Sequence, residues 1–168
     1  MHEWLLHLML LCAPADAPLW RFDEIADAIH DASEGDAEHA AVLVALAARE
    51  GHFNPDAVAA DHAGYSWGLY QIHESNFGWL GITWDDATSA LSSSPIALRL
   101  VEESRRVCRA RPEEERLAWY AAGGPTCDVP EGLADSRNRV ALEKWLLRTS
   151  PAPTHFVESA ETLRKAGR

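Results

Sequence analysis

The stretch that decides the fold is DAEHAAVLVALAAREG, residues 36–51. Its apolar residues recur at helical spacing: Leu43, Leu46 and Ala47 stand at i, i+3 and i+4, the buried stripe of an amphipathic helix. Asp36 is a good N-terminal cap and Gly51 a good stop signal. The spacing therefore predicts a helix from Asp36 to about Glu50, and Glu50 is the i+7 member of its stripe. A carboxylate on an apolar face must be paired, or neutralised by a raised pKa, because burying the bare charge is too costly. The last helical turn adds to this, since the negative end of the dipole disfavours ionisation there. Both effects favour the protonated form that a general acid needs. Periodicity alone leaves other readings open: an ion pair with Arg49 or another base, or fraying into solvent.

On the N-terminal side, Asp23 to Ala32 reads as a helix with Ile25, Ala28 and Ile29 on one face. On the C-terminal side, residues 52–66 read as a loop containing Asn54-Pro55 and Gly64, followed by a short helix from Trp67 to about Asn76. Thr83 is a cap for a further turn or two over Asp85 to Leu91. Pro95 and Pro112 suit first helical positions, giving helices near 95–109 and 112–122. Gly123, Gly124 and Pro125 break the pattern before a helix at Leu133 to Leu147. Pro151 and Pro153 mark a linker to a small terminal helix, Thr154 to Ala166. There is no internal repeat. The expectation is a mainly α single domain: an apolar N-terminal segment over residues 1–20, a principal domain over 21–150 and a tail over 151–168.

A chain of 168 residues suits one compact domain with a real core. The formal net charge of −11 argues against nucleic acid, which needs clustered Lys and Arg. Residues 1–63 hold twelve acids against Arg21 and Arg49, which reads as a solvated acidic face. Trp4 to Ala13 is too short an apolar run to span a bilayer as a helix. Ala13-Pro14-Ala15 is similar to a cleavage site, but Met1-His2-Glu3 carries no Lys or Arg, so the segment is either a weak export signal or a packed helix. His52, His62 and His73 are too widely spaced for a metal motif, and no cofactor is expected. Cys108 and Cys127 either bridge around the segment holding Trp119 and Tyr120 or remain free thiols; Cys12 is left over.

The residues after Glu50 narrow its reading. Arg49-Glu50-Gly51-His52-Phe53-Asn54-Pro55-Asp56-Ala57-Val58 resembles the E-S-x-F-N-P-x-A-V opening of the lytic transglycosylases. Gly68-Leu69-Tyr70-Gln71-Ile72 is similar to their G-L-M-Q-I segment, and Trp119-Tyr120-Ala121-Ala122-Gly123 to their A-Y-N-A-G. The three pieces stand in the family's order over roughly residues 39–148, and they also resemble goose- and chicken-type lysozymes. The resemblance implies a lysozyme-like helical domain with a long saccharide cleft for peptidoglycan glycan strands. It carries Glu50 over as catalytic acid and base; Gly68, Leu69, Tyr70 and Gln71 as cleft or substrate-binding residues; and Tyr120 as an aromatic beside the glutamate. Gly68 lets backbone approach a sugar or an opposing helix, Gln71 offers an amide to N-acetyl and hydroxyl groups, and Tyr120 offers a ring with a polar tip. Leu69 and Ile72 also read as core. Tyr65, Trp67 and Trp79 are further candidates to line the cleft.

This chain departs from that pattern at Gly51, where Ser is usual, and at Ala121, where Asn is usual. Ser66, counted with the substrate-binding residues, occupies the place where chicken-type lysozymes carry a second carboxylate. A hydrolase generally needs two carboxyl groups, and the nearby candidates are Asp61 and Glu74. A lytic transglycosylase needs only Glu50, because the muramyl 6-hydroxyl is the nucleophile and closes a 1,6-anhydro ring. Transglycosylation is therefore the expectation, with muramidase hydrolysis and a non-catalytic glycan-binding or assembly protein as alternatives. The substrate places the chain in the periplasm, at the cell envelope or in a phage product delivered to the wall.

Overall fold

The computed structural model describes residues 1–61, 64–123 and 126–152. The expected break at Gly124 and Pro125, the terminal helix from Thr154, Pro153 and His62 lie outside the described residues. Eight α-helices, three short 3-10 turns and one small sheet make up the described part. The helix expected at Asp36–Glu50 is its centre: α3, Ala37–Glu50, starts where the Asp36 carboxylate accepts from the backbone N–H groups of Glu38 (2.9 Å) and His39 (3.1 Å). Its burial exceeds one stripe. Every residue from Ala40 to Ala48 is buried, so α3 is enclosed on all faces. Its alanines leave room for neighbours to come close, and four other helices pack on it.

Helices α1 (His2–Cys12) and α2 (Phe22–Ser33) lie on the N-terminal side. Helix α1 packs on the domain: Trp4, Leu5, Leu8 and Met9 join the core, and Trp4 Nε1 donates to the Ser150 carbonyl at 2.9 Å. Across the molecule run α6 (Ala90–Val107) and α8 (Pro130–Thr149). Two short helices, α4 (Phe77–Leu80) and α5 (Trp84–Thr88), precede α6, and α7 (Ala118–Ala122) links it to α8. Thr83 caps α5 in a reciprocal capping box with Asp86.

Two helix starts differ from expectation. Ser89 caps α6, placing Pro95 inside the helix, while Pro112 precedes a single 3-10 turn at Glu113–Glu115. The proline that does open a long helix is Pro130, three residues before the expected start of α8.

The larger correction concerns residues 52–76. The expected loop and helix contain a three-stranded antiparallel sheet: β1 (Val58–Asp61), β2 (Gly64–Trp67) and β3 (Ile72–His73), in that spatial order. Ala59 and His73 both pair with Ser66, while Val58 and Ile72 pair with Trp67. Alternation along the strands then sends Ser66 and Trp67 to opposite faces. Helix α4 begins only at Phe77, because Gly68 and Gln71 hold positive φ (77° and 47°) and turn the chain into β3.

The sheet is seated by close backbone contact. A Cβ on Gly68 would run into the Ala87 carbonyl at the end of α5, and one on Gly51 would lie 2.7 Å from the Leu69 carbonyl oxygen. Cys108 and Cys127 form a disulfide, with Cα atoms 5.7 Å apart, across the segment that carries α7. No described helix is long and apolar enough to cross a membrane. Gly68→Ala combines the steric conflict with a left-handed backbone, so it is expected to cost roughly 3 kcal/mol. Urea denaturation measures this, and a loss below about 1 kcal/mol would contradict the packing described.

Candidate active site

Glu50 is the last residue of α3 and lies in a cleft of about 580 Å³. The sheet contributes Ala59, Ser66, Gln71, Ile72 and His73; the α7 segment contributes Trp119 to Gly123; and α8 contributes Arg139. Alternation explains three of these, since Ala59, Ser66 and His73 stand opposite one another on one sheet face, whereas Ile72 pairs with Trp67. Among the described residues, Glu50 is the one carboxylate that lines this cleft.

Glu50 is paired, but not with Arg49. Arg139 donates from Nε and lies equally close through Nη2, both at 2.5 Å and both to Oε1. The Glu50 side chain is 14 % exposed and that of Arg139 is 9 % exposed. Burial pushes the Glu50 carboxyl above the ordinary carboxylate range, and Asp135 adds to this, while Arg139 and Arg49 pull the other way. The net direction is upward. The two readings of Glu50 from the sequence, an ion pair and a raised pKa, are thus both present.

Tyr120 stands beside this pair, with the Arg139 guanidinium 6.0 Å from its ring centre. Its hydroxyl donates to the Tyr70 carbonyl at 2.7 Å, which fixes the ring and leaves the phenol proton engaged. Burial, then the Glu50 charge, raises the Tyr120 pKa well above its usual value, so the ring stays neutral. Two buried serines place the α7 segment. Ser104 Oγ accepts from Tyr120 N (3.0 Å) and donates to the Arg116 carbonyl (2.9 Å); Ser136 Oγ accepts from Leu117 N (2.9 Å) and donates to the Glu114 carbonyl (2.9 Å).

Gln71 reaches the cleft with half its amide committed. Nε2 donates to the Gly68 carbonyl (2.9 Å) and the Ala57 carbonyl (3.3 Å), so the oxygen is the end it offers to a ligand. His73 Nδ1 accepts from Ser75 N at 3.1 Å and lies 2.7 Å from Ser75 Oγ.

Other expected site residues lie elsewhere. Leu69 and Tyr70 are fully buried in the core, and the Tyr70 hydroxyl meets Ser94 Oγ at 2.9 Å. Gly68 makes its close approach to α5 rather than to the cleft. Glu74 is exposed and lies with Trp67, Phe77, Thr83 and Trp84 in a separate apolar groove of about 610 Å³. Asp61 ends β1, paired with Gly64. Trp79 packs edge-on against Trp119, and Tyr65 packs against Trp67. No group of His, Cys, Asp and Glu among the described residues is arranged to hold a metal.

Arg139 is the site residue that sequence reasoning missed. A signal existed: Ser136, Arg139, Val140 and Glu143 are the buried stripe of α8, so two charged residues sit at core positions. Glu143 is buried against Arg105 (3.3 Å) and its pKa is raised by burial.

The direction of the Glu50 shift fixes a pH dependence of stability. The folded protein holds this proton more tightly than the unfolded chain, so stability falls as pH rises from the unfolded carboxyl pKa through the folded one. Glu50→Gln is expected to flatten that descent, leaving the part due to Glu143, in urea titrations at a series of pH values; an unchanged profile would contradict the assigned direction. In comparisons with known proteins, no family model, curated protein or solved structure matches this chain.

Proposed function

We propose that the chain cleaves the β-1,4 bonds of peptidoglycan glycan strands on a lysozyme-like framework, forming 1,6-anhydro-muramyl ends. The observation that carries this reading is Glu50 as the one carboxylate lining the cleft among the described residues. Ser66, at the position of a possible second acid, lines the cleft without a carboxyl group, and Glu74 lies in the other groove. Neither Ser66 nor Glu74 therefore supplies a second carboxylate to the cleft, whereas ring closure needs a single acid.

In this mechanism protonated Glu50 gives its proton to the leaving glycosidic oxygen as the C1–O bond breaks. The substrate's own N-acetyl oxygen shares the positive charge that develops at C1. Glu50, now ionised and held by Arg139, accepts the proton of the muramyl 6-hydroxyl as O6 bonds to C1. Gln71, through its amide oxygen, and Tyr120, through its ring, are the groups that position the sugars. The Cys108–Cys127 disulfide supports an oxidising location, the periplasm or cell exterior, or a phage product that acts on the wall.

The Glu50–Arg139 pair favours one other reading, a glycan-binding protein whose acid is purely structural. Product analysis separates the two. Purified peptidoglycan is expected to yield anhydro ends by mass spectrometry, with release falling about a thousandfold in Glu50→Gln; reducing ends would mean hydrolysis, and equal release by both proteins would mean no catalysis by Glu50. The rate is expected to fall as pH rises through the raised Glu50 pKa, because the acid form starts the reaction. Arg139 lowers that pKa, so Arg139→Gln is expected to move the alkaline limb to higher pH.

A further inference from the structure

Arg139 is the one arginine or lysine lining the cleft among the described residues, and its guanidinium is only partly used. Nε and Nη2 crowd onto the single oxygen Oε1 of Glu50. Among the described residues Nη1 has no hydrogen-bond acceptor, and the Asp135 carboxylate stands 3.9 Å away, too far to serve as one. The residue is 8 % exposed, so little solvent reaches the unmet edge. An arginine fork is suited to two parallel bonds, one to each oxygen of a carboxylate. Here that geometry is unfulfilled, and a donor on a buried cation remains unsatisfied. A neutral polysaccharide can offer it single hydroxyl or N-acetyl oxygens; a carboxylate offers two oxygens in parallel and a compensating charge.

We infer that Arg139 is a specificity-determining residue that reads a carboxylate on the bound glycan by turning its Nη1–Nη2 edge toward the cleft while Nε keeps its bond to Glu50. The inference rests on the glycan reading above and sharpens it: the cleft selects acid-bearing strands over neutral polymers of N-acetylglucosamine. The carboxylate is either the free lactyl group of a muramyl unit or an acid on the peptide attached to it. Release of Nη2 alone also links recognition to chemistry, because the ligand's acid loosens the hold of Arg139 on Glu50 while Nε maintains it.

Calorimetric titration of the full chain tests this in the Glu50→Gln background, which prevents turnover. Three tetrasaccharides serve as probes: all N-acetylglucosamine, alternating N-acetylglucosamine and N-acetylmuramic acid, and the latter with L-alanine on each lactyl group. At least one acid-bearing oligomer is expected to bind about tenfold more tightly than the neutral one, and the one that gains identifies which carboxylate is read. Adding Arg139→Gln is expected to bring the ratio to about one with neutral binding retained, and Arg139→Lys to leave a partial preference; retained neutral binding also shows that the variants are folded. Equal affinity for all three oligomers, or a preference that survives Arg139→Gln, would overturn the inference and leave the glycan reading standing. Failure of every oligomer to bind would overturn both.

Discussion

The constraint on which this structure depends is the enclosure of α3. A helix surrounded on every side can satisfy its own backbone along its length, but its last carbonyls and any polar side chain there need outside partners. The chain meets that need where α3 ends. Phe53 N reaches back to the Ala47 carbonyl at 3.0 Å, Gly51 lies beneath the Leu69 carbonyl, and Arg139 comes in from α8 to Glu50. The cleft is the opening left where these three elements converge. The most chemically loaded residue therefore lies where the central helix reaches the surface, on a rigid support.

The helical part of this arrangement was legible in sequence because its signals are local. Asp36 caps α3, Thr83 caps α5, and apolar spacing marks α2 and α3. Glu50 was legible for the same reason, as an acid at a core position in a last turn. The sheet was not: strands of two to four residues give alternation too little length to register, and the turn into β3 places Gln71, a non-glycine, at positive φ. Pro95 misled because the Ser89 cap, and not the proline, fixes the start of α6. Arg139 lies 89 positions from Glu50, and only the tertiary fold joins them.

The segments compared with lytic transglycosylases do not send all their residues to the cleft. The second of them, Gly68 to Ile72, supplies both Gln71 in the cleft and Leu69 and Tyr70 in the core, since a tight turn presents its residues in different directions. The departure at Gly51 has a packing reason. A serine Cβ there would sit 2.7 Å from the Leu69 carbonyl oxygen, so the small residue allows the sheet to lie close against the end of α3. At Ala121 the side chain is too short to replace a missing amide, and nothing in the structure explains that departure.

The Cys108–Cys127 bridge joins the end of α6 to the approach to α8, and the chain between them holds Trp119 and Tyr120. It ties off one wall of the cleft, whereas the core around α3 is held by packing that the bridge does not touch. Thiol chemistry here acts as a tether on aperture: opening the bond would free the wall to breathe while the central helix stayed enclosed. The bridge thus constrains the shape of the cleft rather than the integrity of the core.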